Sequence, residues 1–175
     1  LPDGSFAEFS RGNVAINGGS EYVPASFGTL SNPGPSHSNY SFDEQSREFQ
    51  FSGSGIAGIN QCYSFKDFRN GISTLVAIEE VRAGLAPIDT RGVWALGQIG
   101  ASITWGHGVT SDDGAPNATE LDTGADDIRQ GPLLYELLGR DLVDGEKMQV
   151  CDHCDENDQA TARSKHPGGV NVATL

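Results

Sequence analysis

The stretch Ser73-Thr-Leu-Val-Ala-Ile-Glu-Glu-Val-Arg82 decides the fold. Leu75, Ala77 and Glu79 alternate with Val76, Ile78 and Glu80, which is the period of a strand and not of a helix. One face is apolar and then turns charged. Glu79 and Glu80 are neighbours on that strand, so their side chains point to opposite faces and cannot form an acid–base pair. Either one of them holds a cation or an arginine, or the strand ends in solvent.

Other short elements lie on either side. Arg11 to Ile16 reads as a strand that closes at the turn Asn17-Gly18-Gly19. Gly92 to Leu96 and Ala101 to Trp105 read as two more, joined by Gly97 to Gly100, and Gly169 to Leu175 as the last. Ser64 to Asn70 reads as a helical turn with Ser64 as N-cap and Gly71 as its stop. Pro132 to Leu138 is the best helix, with Pro132 at its first position, apolar Leu133, Leu134, Leu137 and Leu138, and Gly139 to end it. Residues 24–38 and 52–60 are Gly/Pro-rich connectors, 106–131 an acidic loop and 141–163 a polar one. Trp94 and Trp105 lie in apolar segments and are expected in the core. Short strands, few short helices and long Gly-rich loops predict an α+β fold. One globular domain spans 1–175, with a loop-rich part over 1–50.

Composition bounds the function. The 175 residues carry 24 Asp+Glu against 11 Lys+Arg, a formal net charge of −13. Such a charge excludes nucleic-acid binding through phosphate neutralisation and opposes an anionic membrane surface. Cations and other proteins remain as partners. No apolar run approaches the ~18 residues that a membrane span requires. The opening Leu1-Pro2-Asp3-Gly4 reads as mid-protein sequence and the closing Val170 to Leu175 as a strand cut short. Truncation at both ends is therefore expected.

Three constellations bear on chemistry. Cys151-Asp152-His153-Cys154, with His166 beyond it, has the spacing of half a zinc clip, and Cys62 is the remaining candidate for a fourth ligand. A Cys151–Cys154 disulfide, a bridge from Cys62 to either, and inert thiols are the competing readings. The acidic loop offers Asp112, Asp113, Asn117, Glu120, Asp122, Asp126 and Asp127, oxygen donors of the type that calcium takes, although not in EF-hand spacing. Solvated loop charge is the alternative. A catalytic set is missing: there is no Gly-x-Ser-x-Gly elbow, no His-Glu-x-x-His and no phosphate loop, and Gly53-x-Gly55-x-x-Gly58 lacks the flanking strand and helix of a dinucleotide site. His107, between two glycines, reads as a turn histidine or a ligand. His166 precedes Pro167, which holds it extended and fixes its ring. Asn39-Tyr-Ser41 and Asn117-Ala-Thr119 match the glycosylation sequon, which matters only in a eukaryotic secretory pathway.

Several segments carry a family resemblance. They are Gly55-Ile-Ala-Gly-Ile-Asn60, Phe65-Lys-Asp-Phe-Arg-Asn-Gly71-Ile-Ser-Thr, Glu79-Glu80-Val-Arg-Ala-Gly84-Leu-Ala-Pro-Ile-Asp89, Arg91-Gly-Val-Trp94-Ala-Leu-Gly97 and Ala160-Thr-Ala-Arg-Ser-Lys-His166-Pro-Gly-Gly-Val-Asn-Val172. From about residue 55 onward the chain resembles the DUF1559 family (also labelled SBP_bac_10), the planctomycete-type prepilin-like proteins. The resemblance implies a type IV pilin-like architecture, an antiparallel sheet packed on an N-terminal helix that is absent from this chain. It also implies calcium in a loop. It departs at Arg69-Asn70, where the family commonly has Thr-Asp. The resulting expectation is an extracytoplasmic, pilin- or pseudopilin-like structural subunit of a cell-surface filament or envelope assembly. It would not be an enzyme, and its partners would be copies of itself or other envelope proteins. The alternative is an extracytoplasmic module for a small ligand or glycan, its pocket lined by Trp94, Trp105 or Tyr63.

Overall fold

The computed structural model describes residues 9–19, 39–43, 48–52, 55–59, 63–68, 72–105, 116–119, 125–128, 130–152 and 159–175. Its principal sheet contains β1 (Val14–Asn17), β5 (Val76–Glu80), β6 (Ile103–Thr104) and β7 (Val172–Thr174), in the order β6-β1-β5-β7. A second sheet is antiparallel in the order β2-β3-β4, from β2 (Asn39–Asp43), β3 (Glu48–Ser52) and β4 (Gly58–Ile59). Two short helices follow one another, α1 (Gly131–Leu138) and α2 (Arg140–Gly145). The fold is a small mixed α+β domain. Its principal sheet is itself mixed, because β1 pairs antiparallel with β5 but parallel with β6, where a purely antiparallel sheet was expected.

The alternation at 73–82 produces β5, and it separates the two faces sharply. Ala77 and Glu79 are buried, whereas Ile78 is 40% exposed. On β1 the same split puts Ala15 inside and leaves Ile16 43% exposed, and Ile16 lies opposite Ile78. The inner face is thus built from alanines and a glutamate, and the isoleucines face out. Glu79 lies opposite Ala15 and reaches across β1 to accept a 2.6 Å hydrogen bond from the Thr104 hydroxyl.

The main core gathers Ile99, Ile103, Trp105, Ile128, Leu134, Val150 and Ala160. Trp105 is fully buried, and Gly18 lies against its ring so closely that a Cβ there would overlap it. Helix α1 begins at Gly131, has Pro132 in its first turn and stops where Gly139 takes a φ of +81°, as expected for a glycine stop. It buries Leu134 and leaves Leu133 and Leu137 exposed.

Several expectations are corrected. Gly92–Leu96 is not a strand: it is a run of turns in which Gly92 has φ +75° and Val93 makes a single bridge to Arg11. Ala101–Trp105 shrinks to β6, and Gly169–Leu175 to β7. The helical turn at Ser64 is a short 3-10 helix, Phe65–Asp67, with the Ser64 N–H and hydroxyl both donating to Asp67. The connector 52–60 contributes β4, and the polar segment 141–163 contributes most of α2 and a buried stretch at 160–163. Trp94 is not in the core: it is 59% exposed, standing over Gly12 with its indole N–H on the Val14 carbonyl at 2.7 Å.

A buried ionic network joins segments outside the strands and helices. Asp126 accepts from Arg163 at 2.7 and 2.8 Å and from Arg91 at 2.8 Å. Arg91 also grips Asp89 through Nε and Nη2 at 3.0 and 2.8 Å. The four side chains are 3% exposed or less. Burial alone would raise the Asp126 carboxyl; Arg163 and Arg91 outweigh it and hold it below the ordinary carboxylate range. For Arg91 burial pulls downward, but Asp89 and Asp126 raise it above an ordinary guanidinium.

Two outcomes follow from this packing. Asp126→Asn removes the carboxylate that the buried Arg163 and Arg91 share, although Arg91 keeps Asp89, and should lower unfolding free energy by roughly 3–5 kcal/mol in a urea titration. Gly18→Ala forces the Trp105 ring aside and should cost about 1–3 kcal/mol by the same measurement. Unchanged midpoints would refute these assignments.

Candidate functional site

Glu80, the last residue of β5, gathers the segment 163–171 around itself. Its backbone carbonyl accepts from the Arg163 N–H at 2.9 Å, and its N–H donates to the Asn171 carbonyl at 2.9 Å. Its side chain lies on the opposite face from Glu79. There Oε2 meets His166 Nε2 at 2.8 Å, the Asn171 backbone N–H at 3.0 Å and Asn171 Nδ2 at 2.9 Å. The third edge of that triangle, Asn171 Nδ2 to His166 Nε2, is 3.1 Å.

Local sequence dictates this return. His166 before Pro167 is held extended. Gly168 and Gly169 follow with φ of +99° and +126°, a reversal that residues with a Cβ resist. The other ring nitrogen of His166, Nδ1, faces the Pro167 carbonyl at 3.4 Å. Beside the cluster is a shallow concavity of about 260 Å³, bounded by Asn13, Val14, Ile78, Glu80, Asn171 and Ala173.

The electrostatics favour an ion pair, with the proton on the imidazole and the charge on the carboxylate. Burial pushes the Glu80 carboxyl up, but the Asn171 N–H, His166 and the Asn171 amide together hold it below its ordinary value. The hydrogen bond to Glu80, then the Pro167 carbonyl, raise the His166 imidazole. The neighbouring hydroxyl, Ser164 Oγ, is directed at the Gly169 carbonyl, so no serine–histidine dyad forms here.

The candidates named from sequence scatter. Asp112, Asp113, Glu120, Asp122, Cys62, Cys154, His107 and His153 lie outside the described residues. Asn117 turns its amide to Ser164, accepting from its N–H at 2.8 Å. Asp126 is corrected as a calcium ligand: its oxygens are taken by two guanidinium groups and the Thr161 N–H, which leaves no place for a cation. Asp127 is buried, with its N–H on the Gln159 carbonyl. Cys151 is buried and disulfide-bonded, so its sulfur is no zinc thiolate. The chain has three cysteines, which leaves Cys62 or Cys154 as its partner. His166 therefore does not join Cys151 but sits with Glu80 and Asn171. Among the described residues no group of three or more His, Cys, Asp or Glu side chains is placed to hold a metal. Of the three aromatic residues expected to line a pocket, Trp105 is in the core and Trp94 is exposed. Tyr63 packs on Phe68 with ring centroids 6.0 Å apart.

Of the two readings of Glu79-Glu80, a strand that ends in solvent or a held cation, Glu80 carries features of both: it closes β5, and it meets His166, which is a cation when protonated. Sequence reasoning had nothing to identify Asn171. The one hint was proximity: the amide follows the His-Pro-Gly-Gly turn directly, on the return strand. No family model, curated protein or solved structure matches the chain.

The pair should give stability a bell-shaped pH dependence. The Glu80 contribution is present above its ordinary value of 4.5 and is lost as pH falls through the lower folded value. The His166 contribution is complete below 6.5 and is lost as pH rises through its higher folded value. The melting-temperature gap between wild type and His166→Gln should therefore be widest between 4.5 and 6.5 and close in alkaline buffer. A gap that is flat with pH would show that the two groups do not interact.

Proposed function

We propose that this chain is an exported, pilin-like structural subunit of a cell-surface filament or envelope assembly. The observation that carries the reading is the open face of the principal sheet. Ile16 and Ile78 pair across β1 and β5 and remain 43% and 40% exposed, while the small side chains of the same strands fill the interior. An apolar sheet face of that kind is what a subunit presents to a neighbour. The buried disulfide at Cys151 supports an oxidising, extracytoplasmic compartment. Among the described residues no helix is long and apolar enough to cross a membrane.

A second reading, a binding module for a small ligand or glycan, draws on the concavity beside Glu80 and Asn171. Its 260 Å³ falls just short of the ~300 Å³ at which ligand pockets begin. Calcium belongs with the first reading, through the acidic-loop residues Asp112, Asp113 and Asp122.

Negative-stain electron microscopy of native material separates the two. Regular filaments with a short axial repeat are expected. Discrete monomers together with a saturable glycan-induced shift would transfer the proposal to the binding module. In recombinant protein, Ile16→Thr with Ile78→Thr, which keeps β-branched side chains in both strands, should abolish self-association at a cost of roughly 1 kcal/mol of unfolding free energy for each change. Calcium at a hundredfold excess over Kd should raise stability by roughly 2.7 kcal/mol; a melting temperature indifferent to calcium removes the ion from the reading.

A further inference from the structure

We propose that the indole face of Trp94 and the polar rim of the adjoining concavity bind one ring of a neutral glycan. The proposal rests on the binding-module reading and supplies its site; a filament subunit and a monomer can both carry it. Trp94 is 59% exposed, yet its ring is fixed. Its N–H donates to the Val14 carbonyl at 2.7 Å, and the ring lies on Gly12, where a Cβ would meet Nε1 at 2.5 Å. Glycine at position 12 is thus the seat of the indole. With one side on backbone, the exposure falls on the other side and the outer edge. A large flat surface already held by a hydrogen bond has little side-chain freedom to lose when a ligand stacks on it.

Gly12 and Val14 flank Asn13, and Asn13 and Val14 both bound the concavity, so the ring stands at its border. Val14, Ile78 and Ala173 give the concavity apolar surface, and Asn13, Glu80 and Asn171 bring polar groups. Among the described residues no hydrogen bond occupies the Asn13 amide, Glu80 Oε1 or Asn171 Oδ1; the cluster with His166 uses only Oε2 and Nδ2 of those side chains. Two of these groups accept, and the Asn13 amide both donates and accepts. Hydroxyl groups match such a set, because each of them does both. The charge balance selects a neutral ligand. A cation would meet a Glu80 whose charge His166 already balances, and an anion would meet a chain of net charge −13. A sugar ring meets both demands. Its C–H groups face the negative face of the indole, and the hydroxyls around its edge reach the polar rim. The concavity of about 260 Å³ holds one ring and leaves the rest of an oligosaccharide in solvent.

The test is isothermal titration calorimetry of the full chain with cellotetraose, N-acetylchitotetraose and mannotetraose in turn. Saturable binding of at least one of them, with one site per chain, is expected. Trp94→Ala should weaken it at least about tenfold, as loss of a stacking aromatic does elsewhere. The chain has two tryptophans, so emission from the buried Trp105 in that variant reports whether the core is intact. Gly12→Ala, which keeps the indole but displaces it from its seat, should weaken binding by a similar factor. Asn13→Ala, which removes an exposed amide, should weaken it several-fold. Saturable binding that Trp94→Ala leaves at wild-type affinity would overturn this site and leave the binding-module reading standing. No saturable binding of any of the three sugars by the wild type would overturn both, and would leave the filament reading untouched.

Discussion

Two guanidinium groups share one buried carboxylate, and most of the described fold is arranged around that fact. Asp126 stands between Arg91, in the turn-rich segment after β5, and Arg163, which leads toward β7. Through their remaining donors the two arginines reach the carbonyls of Met148, Ala118 and Lys147. Arg11, just before β1, adds the carbonyls of Ala86, Asp89 and Arg91. Segments with no strand or helix of their own are joined in this way. A buried ion pair is a poor source of net stability, because removing four charges from water cancels most of their attraction. What it supplies is position: each donor accepts one geometry, and a chain in which only 37% of residues are hydrophobic has few other means of fixing its loops.

That division explains the sheet. With the loops positioned by arginines, the inner face of β1 and β5 needs no large side chains. Ala15 and Ala77 allow the strands to approach the core closely, and Glu79 is accommodated because Thr104 donates to it. The bulky residues of both strands are thereby turned outward. On these two strands the outer face is the more apolar one, a local departure from the apolar core elsewhere, and it arises from one alternation.

Where the sequence was informative, the signal was local. The alternation at 73–82, Ser64 as a cap, Pro132 with Gly139 and the His-Pro-Gly-Gly turn each act over a few residues, and each was legible. The strand expected at 92–96 failed because tertiary ties overrode β-propensity, Asp89 holding Leu85 and Arg91 in a turn just before it, while the one expected at 101–105 is present only as the short β6. Asp126 was misread for a related reason. In a chain of net charge −13 an aspartate within an acidic loop looks solvated, and its partners lie 35 and 37 residues away. The available clue was the reverse one. Arginines set in small or apolar surroundings, as in Thr90-Arg91-Gly92-Val93 and Thr161-Ala162-Arg163, have to find buried anions, and such a chain holds few arginines to explain.

The core network also accounts for the surface cluster. Arg163 is fixed twice, its guanidinium on Asp126 and its N–H on the Glu80 carbonyl. Three residues later comes His166, and five after that Asn171, whose carbonyl returns to the Glu80 N–H. The intervening turn has little freedom, since Pro167 restricts the histidine and two left-handed glycines set the reversal. The three side chains therefore converge on one oxygen because both ends of their loop are anchored to the same glutamate, and that glutamate to the core. A constellation whose loop is anchored at both ends is preorganised, so the contacts among its three side chains form without the side chains first having to be gathered.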